Sequence, residues 1–140
     1  MSVERRFLDT NVLVYANDVA SPEKRERARA LIDEGVRADS LVVSTQVFAE
    51  FWVTVTRKLA VTLSPELAKR QLALLSALKV VPVDLGVVME AVGIQERYGL
   101  SFWDAQILAA AKAGGAGIVL SEDLADGRDY GGVRVENPFR

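Results

Sequence analysis

Four acidic residues, Asp9, Glu50, Asp104 and Asp123, stand where an α/β fold could bring them to one place. Asp9 in FLDTNVLVY and Asp123 in IVLSEDL each follow a short apolar, strand-like run. Glu50 in STQVFAEFW and Asp104 in LSFWDAQIL lie on helix-like segments. The chain has no histidine and no cysteine, so oxygen ligands dominate any metal site it builds. Such ligands suit hard cations such as Mg²⁺ or Mn²⁺. The chemistry this suggests is metal-dependent attack on a phosphodiester. Two carboxylates ~5 Å apart, at an effective dielectric of ~20, repel by roughly 3 kcal/mol. Several such pairs cost on the order of 10 kcal/mol, comparable to a domain's whole stability. Convergence therefore calls for a divalent cation or for protonation of one or more acids, and at pH 7 the cation is the simpler answer.

Each acid also has an ordinary structural reading. Asp9, Thr10 and Asn11 can make a strand-to-helix turn in which one of them caps the next helix. Three polar groups in a row exceed what one cap requires, and Asn11 could orient a carboxylate or a water. Glu50 sits on the polar flank of its helix and reads alone as a solvated glutamate. Asp104 shares a helix side with Ile107, Leu108 and Ala111, at i+3, i+4 and i+7, and a bare carboxylate there would be costly. A capping box, Ser101-Phe-Trp-Asp104, would rescue it by bonding the carboxylate back to the Ser101 amide. The two roles are compatible. Asp123 can be a loop carboxylate near the Asp126-Gly127 turn, and Glu122 and Asp126 compete with it for any site role.

The elements that must position these acids follow from alternation. Short β-branched or apolar runs at Arg6–Leu8, Leu41–Ser44, Lys79–Val83, Gly117–Leu120 and Val133–Val135 read as strands. Helical patterns separate the first four. They run from Asn11 to Asp18, from Ser21-Pro22 to about Val36, from Thr45 to Leu59, from Ser64-Pro65 to about Leu78, from an Asp84 cap to about Arg97, and from Ser101 to near Gly114. Serine before proline supplies two of the starts, with serine as N-cap. Strands joined through helices imply crossovers and a mainly parallel sheet, an α/β fold. In open parallel sheets the ligand crevice lies at the carboxyl ends of the strands, where Asp9 and Asp123 both fall.

Composition narrows the function. At 140 residues, half hydrophobic and 26% charged, the chain is read as one globular domain, residues 1–140. No run approaches the ~20 apolar residues of a membrane span. The charged MSVERRFLDT start is unlike a signal peptide, so a cytoplasmic location is expected. Without cysteine there are no disulfides, thiolate nucleophiles or cysteine-bound zinc. Without histidine there is no His–His acid–base pair and no His-dependent serine hydrolase. Net charge is −2, from 17 basic and 19 acidic residues. Setting aside four acids for a site leaves a balance of +2, and the basic clusters include Arg5-Arg6, Lys24 to Arg29, Arg57-Lys58 and Lys69-Arg70. Two rivals to a nuclease remain. An aspartate-based phosphoryl-transfer domain would want a second aspartate two positions after Asp9, where Asn11 stands, or a lysine after a late strand, where Ser121 stands. A non-catalytic module would keep the fold and use its acids to bind a metal or a partner.

Taken in order, four segments resemble the motifs of the PIN-domain family, and specifically its VapC-like toxin ribonucleases from type II toxin–antitoxin pairs. FLDTNVLVYA resembles the N-terminal hydrophobic-Asp-Thr/Ser-Asn motif, VVSTQVFAEFW the glutamate motif, GLSFWDAQILAAA the third, and GIVLSEDLADG the fourth. The resemblance implies a three-layer α/β/α sandwich around a parallel sheet. It also implies Mg²⁺- or Mn²⁺-dependent endoribonuclease activity on RNA, a homodimer, and neutralisation by a cognate antitoxin. By the same resemblance Asp9, Glu50 and Asp104 would be core metal ligands, with Asp123 a less strict fourth. Asn11 and Ser121 would support them by hydrogen bonding. Ser121 stands where many relatives carry threonine, and keeps the hydroxyl.

Overall fold

The computed structural model describes residues 4–140. Five strands, β1 (Arg6–Leu8), β2 (Leu41–Ser44), β3 (Lys79–Val81), β4 (Ile118–Leu120) and β5 (Arg134–Glu136), form one sheet in the order β3-β2-β1-β4-β5. Every adjacent pair is parallel, with Phe7 beside both Val42 and Val119. Six α-helices accompany them: α1 (Thr10–Tyr15), α2 (Pro22–Arg37), α3 (Thr45–Val53), α4 (Pro65–Leu75), α5 (Leu85–Tyr98) and α6 (Phe102–Ala113).

From β1 to β3 the chain steps one way across the sheet. It then returns over the top to β4. Right-handed crossovers taken in opposite directions place their helices on opposite faces, which yields the α/β/α sandwich. Helices α2 and α3 pack on β2, with α1 against both, while α6 packs on β2, β3 and β4 and against α5. The strands between these layers are buried on both sides, as their continuous apolar runs require: Phe7, Leu8, Val42, Val43, Val119 and Val135 are fully buried. Gly114 permits the close seating of α6, since a Cβ there would stand 2.6 Å from Val42 Cγ1.

Several boundaries differ from the sequence expectation for identifiable reasons. The helix expected from Thr45 to Leu59 is α-helical only to Val53 and continues as a π-helical turn over Thr54–Lys58. Val53-Thr54-Val55-Thr56 is a run of β-branched residues, and the Thr56 hydroxyl bonds back to the Trp52 carbonyl at 2.6 Å. Both features loosen an α-helical ladder. Helix α1 stops at Tyr15, where Asn17 Nδ2 donates to the Leu13 carbonyl. Strand β3 ends at Val81 because Pro82 cannot donate to a ladder. Helix α4 ends at Leu75, short of Leu78. Ser64 caps α4 through its hydroxyl, but Ser21 makes no side-chain cap on α2.

Candidate metal centre

The strand order reverses between β1 and β4, because β1 connects toward β2 while β4 connects toward β5. The carboxyl ends of such a pair of strands open a crevice that no loop closes. Asp9 stands at the end of β1 and Ser121 at the end of β4. Only 6% of Asp9 is exposed. Its Oδ1 accepts from the Thr10 amide at 2.7 Å, capping α1, and its Oδ2 accepts from the buried Ser121 hydroxyl at 2.7 Å. The Ser121 oxygen in turn accepts from the amides of Asp123 at 3.1 Å and Leu124 at 3.3 Å. One hydroxyl thus ties the acid on β1 to the loop after β4.

The other acids enter through neighbours. Asn11, the second residue of α1, donates from Nδ2 to Asp123 Oδ2 at 3.1 Å, and its Oδ1 accepts from the Glu122 amide at 3.4 Å. Glu50 lies in the second turn of α3, whose first turn is fixed by Ser44 accepting from the Val47 amide. Glu50 Oε1 accepts from the Thr10 hydroxyl at 2.9 Å and from Gln46 Nε2 at 3.4 Å. Burial pushes the Asp9 carboxyl up to about 6 from its ordinary 3.8. Its hydrogen bonds with Ser121 and Thr10 oppose the rise, and the charges of Asp123 and Glu50 add to it. Asp9 therefore feels the charges of both Glu50 and Asp123.

Asp104 is placed differently. Ser101 caps α6 by accepting from the Asp104 amide at 3.1 Å. The reciprocal arm expected of a capping box, from the Asp104 carboxylate to the Ser101 amide, is not formed among the described residues. The half-buried carboxylate is consequently left free of that cap. No hydrogen bond among the described residues joins that carboxylate to the other acids; it is the neighbouring Trp103 whose carbonyl accepts from Gln46 Nε2 at 3.2 Å, the nitrogen that also donates to Glu50. Among the described residues, no three acids are already gathered closely enough to hold an ion.

The two acids that competed with Asp123 are occupied elsewhere. Glu122 accepts from Tyr15 Oη and from Lys24 Nζ, each at 2.6 Å. Burial would raise its carboxyl, but the bonds from Lys24 and Tyr15 outweigh this and hold it below the ordinary range. Lys24 also lies over the Tyr15 ring, 4.8 Å from its centroid. Asp126 accepts from the Asn137 amide at 2.8 Å and pairs with Arg140 at 3.2 Å. Sequence reasoning did not single out Thr10, Gln46 or Lys24. Thr10 was within reach as the middle of Asp-Thr-Asn. Lys24 meets Glu122 across 98 positions, which no local pattern signals.

The donor set suits a hard divalent cation. It is oxygen only, it carries net negative charge, and its innermost member is a desolvated carboxyl whose ionisation is opposed by two neighbouring acids. A cation removes that opposition.

Comparison with known proteins agrees with this architecture. A family model described as PIN domain matches residues 6–125. No curated protein matches the chain. Among solved structures, a toxin–antitoxin complex from Klebsiella pneumoniae superposes with a TM-score of 0.69 at 18% identity, covering 95% of this chain and 97% of that one. A DNA-bound VapBC from Salmonella typhimurium gives 0.67 at 20% identity, covering 97% and 99%. The Mycobacterium tuberculosis toxin VapC20, described as cleaving the sarcin–ricin loop, gives 0.65 at 18% identity, covering 84% and 89%. At these identities the likeness is one of fold.

Proposed function

We propose, since the chain belongs to the PIN domain family, that it is an Mg²⁺- or Mn²⁺-dependent endoribonuclease acting as the toxin of a toxin–antitoxin pair. The observation that carries this reading is the buried Asp9 carboxyl at the β1/β4 switch point, coupled to Glu50 and Asp123. Asp9, Glu50 and Asp104 would hold the cation, with Asp123 contributing directly or through a water. When bound, a divalent ion lowers the pKa of a coordinated water and neutralises charge developing on the phosphate. Ser121 and the Thr10 amide fix the Asp9 carboxylate, Thr10 fixes Glu50, and Asn11 orients Asp123. With Oε1 of Glu50 engaged by Thr10 and Gln46, its second oxygen is the one available to accept a proton or face a ligand.

The solved structures of similar fold that are described as toxin–antitoxin complexes support an antitoxin partner for this chain. The expected surface can be made specific. The aromatic residues of α3 do not supply it: Phe51 is fully buried, and Phe48 and Trp52 are half-buried against the core. The open apolar groove instead runs between α1, α2 and α4. It measures about 390 Å³, with Phe51 on its floor and Ile32, Val36, Leu74, Leu75 and Leu78 on its walls. We assign the antitoxin's C-terminal segment to this groove, bound as an apolar helix or strand. The chain would act as one domain over residues 1–140, with β5 completing the sheet beyond the matched segment. It would work in the cytoplasm as a homodimer. No helix among the described residues is long and apolar enough to cross a membrane.

The deciding experiment incubates the purified chain with RNA in Mg²⁺, Mn²⁺, Ca²⁺ or EDTA, alongside Asp9→Asn. Cleavage is expected in Mg²⁺ and Mn²⁺, leaving 5′-phosphate and 3′-hydroxyl ends. It should be weak in Ca²⁺, which prefers longer and looser coordination, and absent in EDTA and in Asp9→Asn. Activity in EDTA, or 2′,3′-cyclic phosphate ends, would overturn the metal-dependent reading.

A further inference from the structure

Beside Glu50 lies a second groove, about 450 Å³, between the start of α3 and the start of α6. It is lined by Thr45, Gln46, Ala49, Glu50, Trp103 and Gln106, with Val83 at one end. Trp103 is 62% exposed, although burial of a tryptophan ring is among the larger apolar gains available to a chain. Its ring is braced edge-on by Phe102, with centroids 5.3 Å apart and planes at 84°. The indole is thus held in place and still open to the groove.

The opposite side of the groove is polar in an unusual way. Gln106 is only 4% exposed, set among Ala105, Ile107, Leu108 and Ala109 on the most deeply buried helix of the fold. Its Nε2 donates to Gln46 Oε1 at 2.9 Å, and Gln46 passes the bond on to Glu50 and to the Trp103 carbonyl. No donor among the described residues reaches the Gln106 carbonyl oxygen. The oxygen is not sealed from water, so a nearly buried, well-held amide presents an open acceptor to the groove, ready to take a ligand N–H in place of solvent.

We propose that this groove is a nucleobase subsite for single-stranded RNA. One base would stack on Trp103, with its edge hydrogen-bonded by the amides of Gln106 and Gln46, immediately beside the carboxylate centre. The inference rests on the nuclease reading above and adds to it the place where the strand is held. Unpaired bases that stack on aromatic side chains and bond through their edges are the usual mode of sequence-sensitive RNA recognition. Glu50 lines the groove and Asp104 follows Trp103 in the chain, so a base seated there puts a neighbouring phosphodiester beside the acids. Gln106 also gives a route to specificity: with one N–H spent on Gln46, its amide still offers a donor and an acceptor side by side and accepts only a base edge with the complementary pair.

The test uses a fluorescein-labelled single-stranded RNA octamer of mixed sequence, with binding followed by anisotropy in Ca²⁺ and cleavage followed in Mn²⁺. Trp103→Ala should weaken binding about 10- to 100-fold, the range expected for losing one stacked base. Trp103→Phe should recover most of that loss. Gln106→Leu should change the ranking of octamers that differ at one position while leaving overall affinity closer to wild type. Sedimentation of each variant reports its oligomeric state. Unchanged affinity in Trp103→Ala, with the wild type still cleaving, overturns the subsite and leaves the nuclease reading intact. So does a change from dimer to monomer with RNA affinity per protomer unchanged, which would make Trp103 a contact between copies. A wild type that binds the octamer but cleaves in no metal would instead remove the nuclease reading, while the stacking loss in Trp103→Ala would still support the groove.

Discussion

Replacing Asp9 by asparagine should reverse its effect on stability between acidic and neutral pH. Burial raises the folded-state pKa of Asp9 to about 6 from 3.8. A carboxyl raised in this way contributes stability below its unfolded pKa and loses it as pH climbs through the folded value. In the metal-free chain the loss therefore falls between about pH 4 and pH 6. A tenfold change in an ionisation constant is worth about 1.4 kcal/mol, so the full cost of ionising Asp9 is about 3 kcal/mol. About 0.5 kcal/mol of it is already present at pH 4, which leaves roughly 2.5 kcal/mol to appear by pH 7.5. Asparagine escapes that cost but meets Ser121 badly. The Ser121 oxygen already accepts two amides and donates its proton to Asp9, so an incoming Nδ2 donor finds no free lone pair. That mismatch costs about 1–2 kcal/mol at every pH. Asp9→Asn should thus be about 1 kcal/mol less stable than wild type near pH 4 and about 1–2 kcal/mol more stable at pH 7.5. Urea unfolding in EDTA at intervals across this range measures the difference directly. A difference that stays flat with pH would refute the reasoning, because Asp9 would then titrate as an ordinary carboxyl despite its burial.

Other expectations follow from the same contacts. Ser121→Ala removes the hydroxyl that lowers the Asp9 carboxyl and leaves two amides unpaired; it should cost about 1–3 kcal/mol and push the Asp9 titration above 6, read by carboxyl carbon NMR. Lys24→Met releases the bond that holds Glu122 low, so the Glu122 carboxyl should titrate at higher pH in the same spectra. Leu74→Glu places a charge on the wall of the α1–α2–α4 groove at a residue that is 71% exposed. It should leave the melting temperature within a degree or two and weaken antitoxin binding by about tenfold or more by calorimetry. Unchanged antitoxin affinity would move the partner to another face.

Much of the scaffold was readable because it rests on local rules. The parallel α/β reading came from β-branched runs separated by amphipathic stretches, and the strand positions hold to within two residues. Asp84 and Ser64 cap helices as their spacing suggests, because a cap needs only an amide three residues on. Ser21 carries the same signal and makes no such bond; a turn closed by Asp18 on the Ala20 amide precedes it. The π-helical turn was legible in principle from four β-branched residues in a row, but a wide apolar stripe outweighed it. The acids were noticeable as types in context. Of their partners, Ser121 and Asn11 were expected only through the family resemblance, and the others were not, because those contacts join distant positions: Thr10 with Glu50, Lys24 with Glu122, and Gln46 with Gln106. Whether Glu122 or Asp123 faces the centre turns on one lysine from α2, and that choice is made by tertiary packing.

Topology accounts for both the location and the cost of the centre. A switch point needs two adjacent strands whose connections depart in opposite directions, and β1 and β4 are the one such pair among the described strands. Asp9 directly follows the fully buried Phe7 and Leu8 of β1 and is itself only 6% exposed, so a carboxylate at that strand end is desolvated by its position. The fold then spends hydrogen bonds on holding the acid: the Thr10 amide and the Ser121 hydroxyl each favour the ionised form and limit the rise in its pKa. Two further acids nearby work in the opposite sense. A site meant only to be stable would not combine these features, since replacing either outer acid by a neutral residue would relieve Asp9. The combination makes sense when the cost is offset by something with positive charge. The same arrangement explains why the hydrogen-bond chain extends so far, from Lys24 and Tyr15 through Glu122, Asn11 and Asp123 to Asp9, and through Thr10 and Glu50 to Gln46 and Gln106. Mutually repelling groups separate unless each is held by its own partner, and here neutral donors do most of the holding, so the negative charge remains available in the crevice.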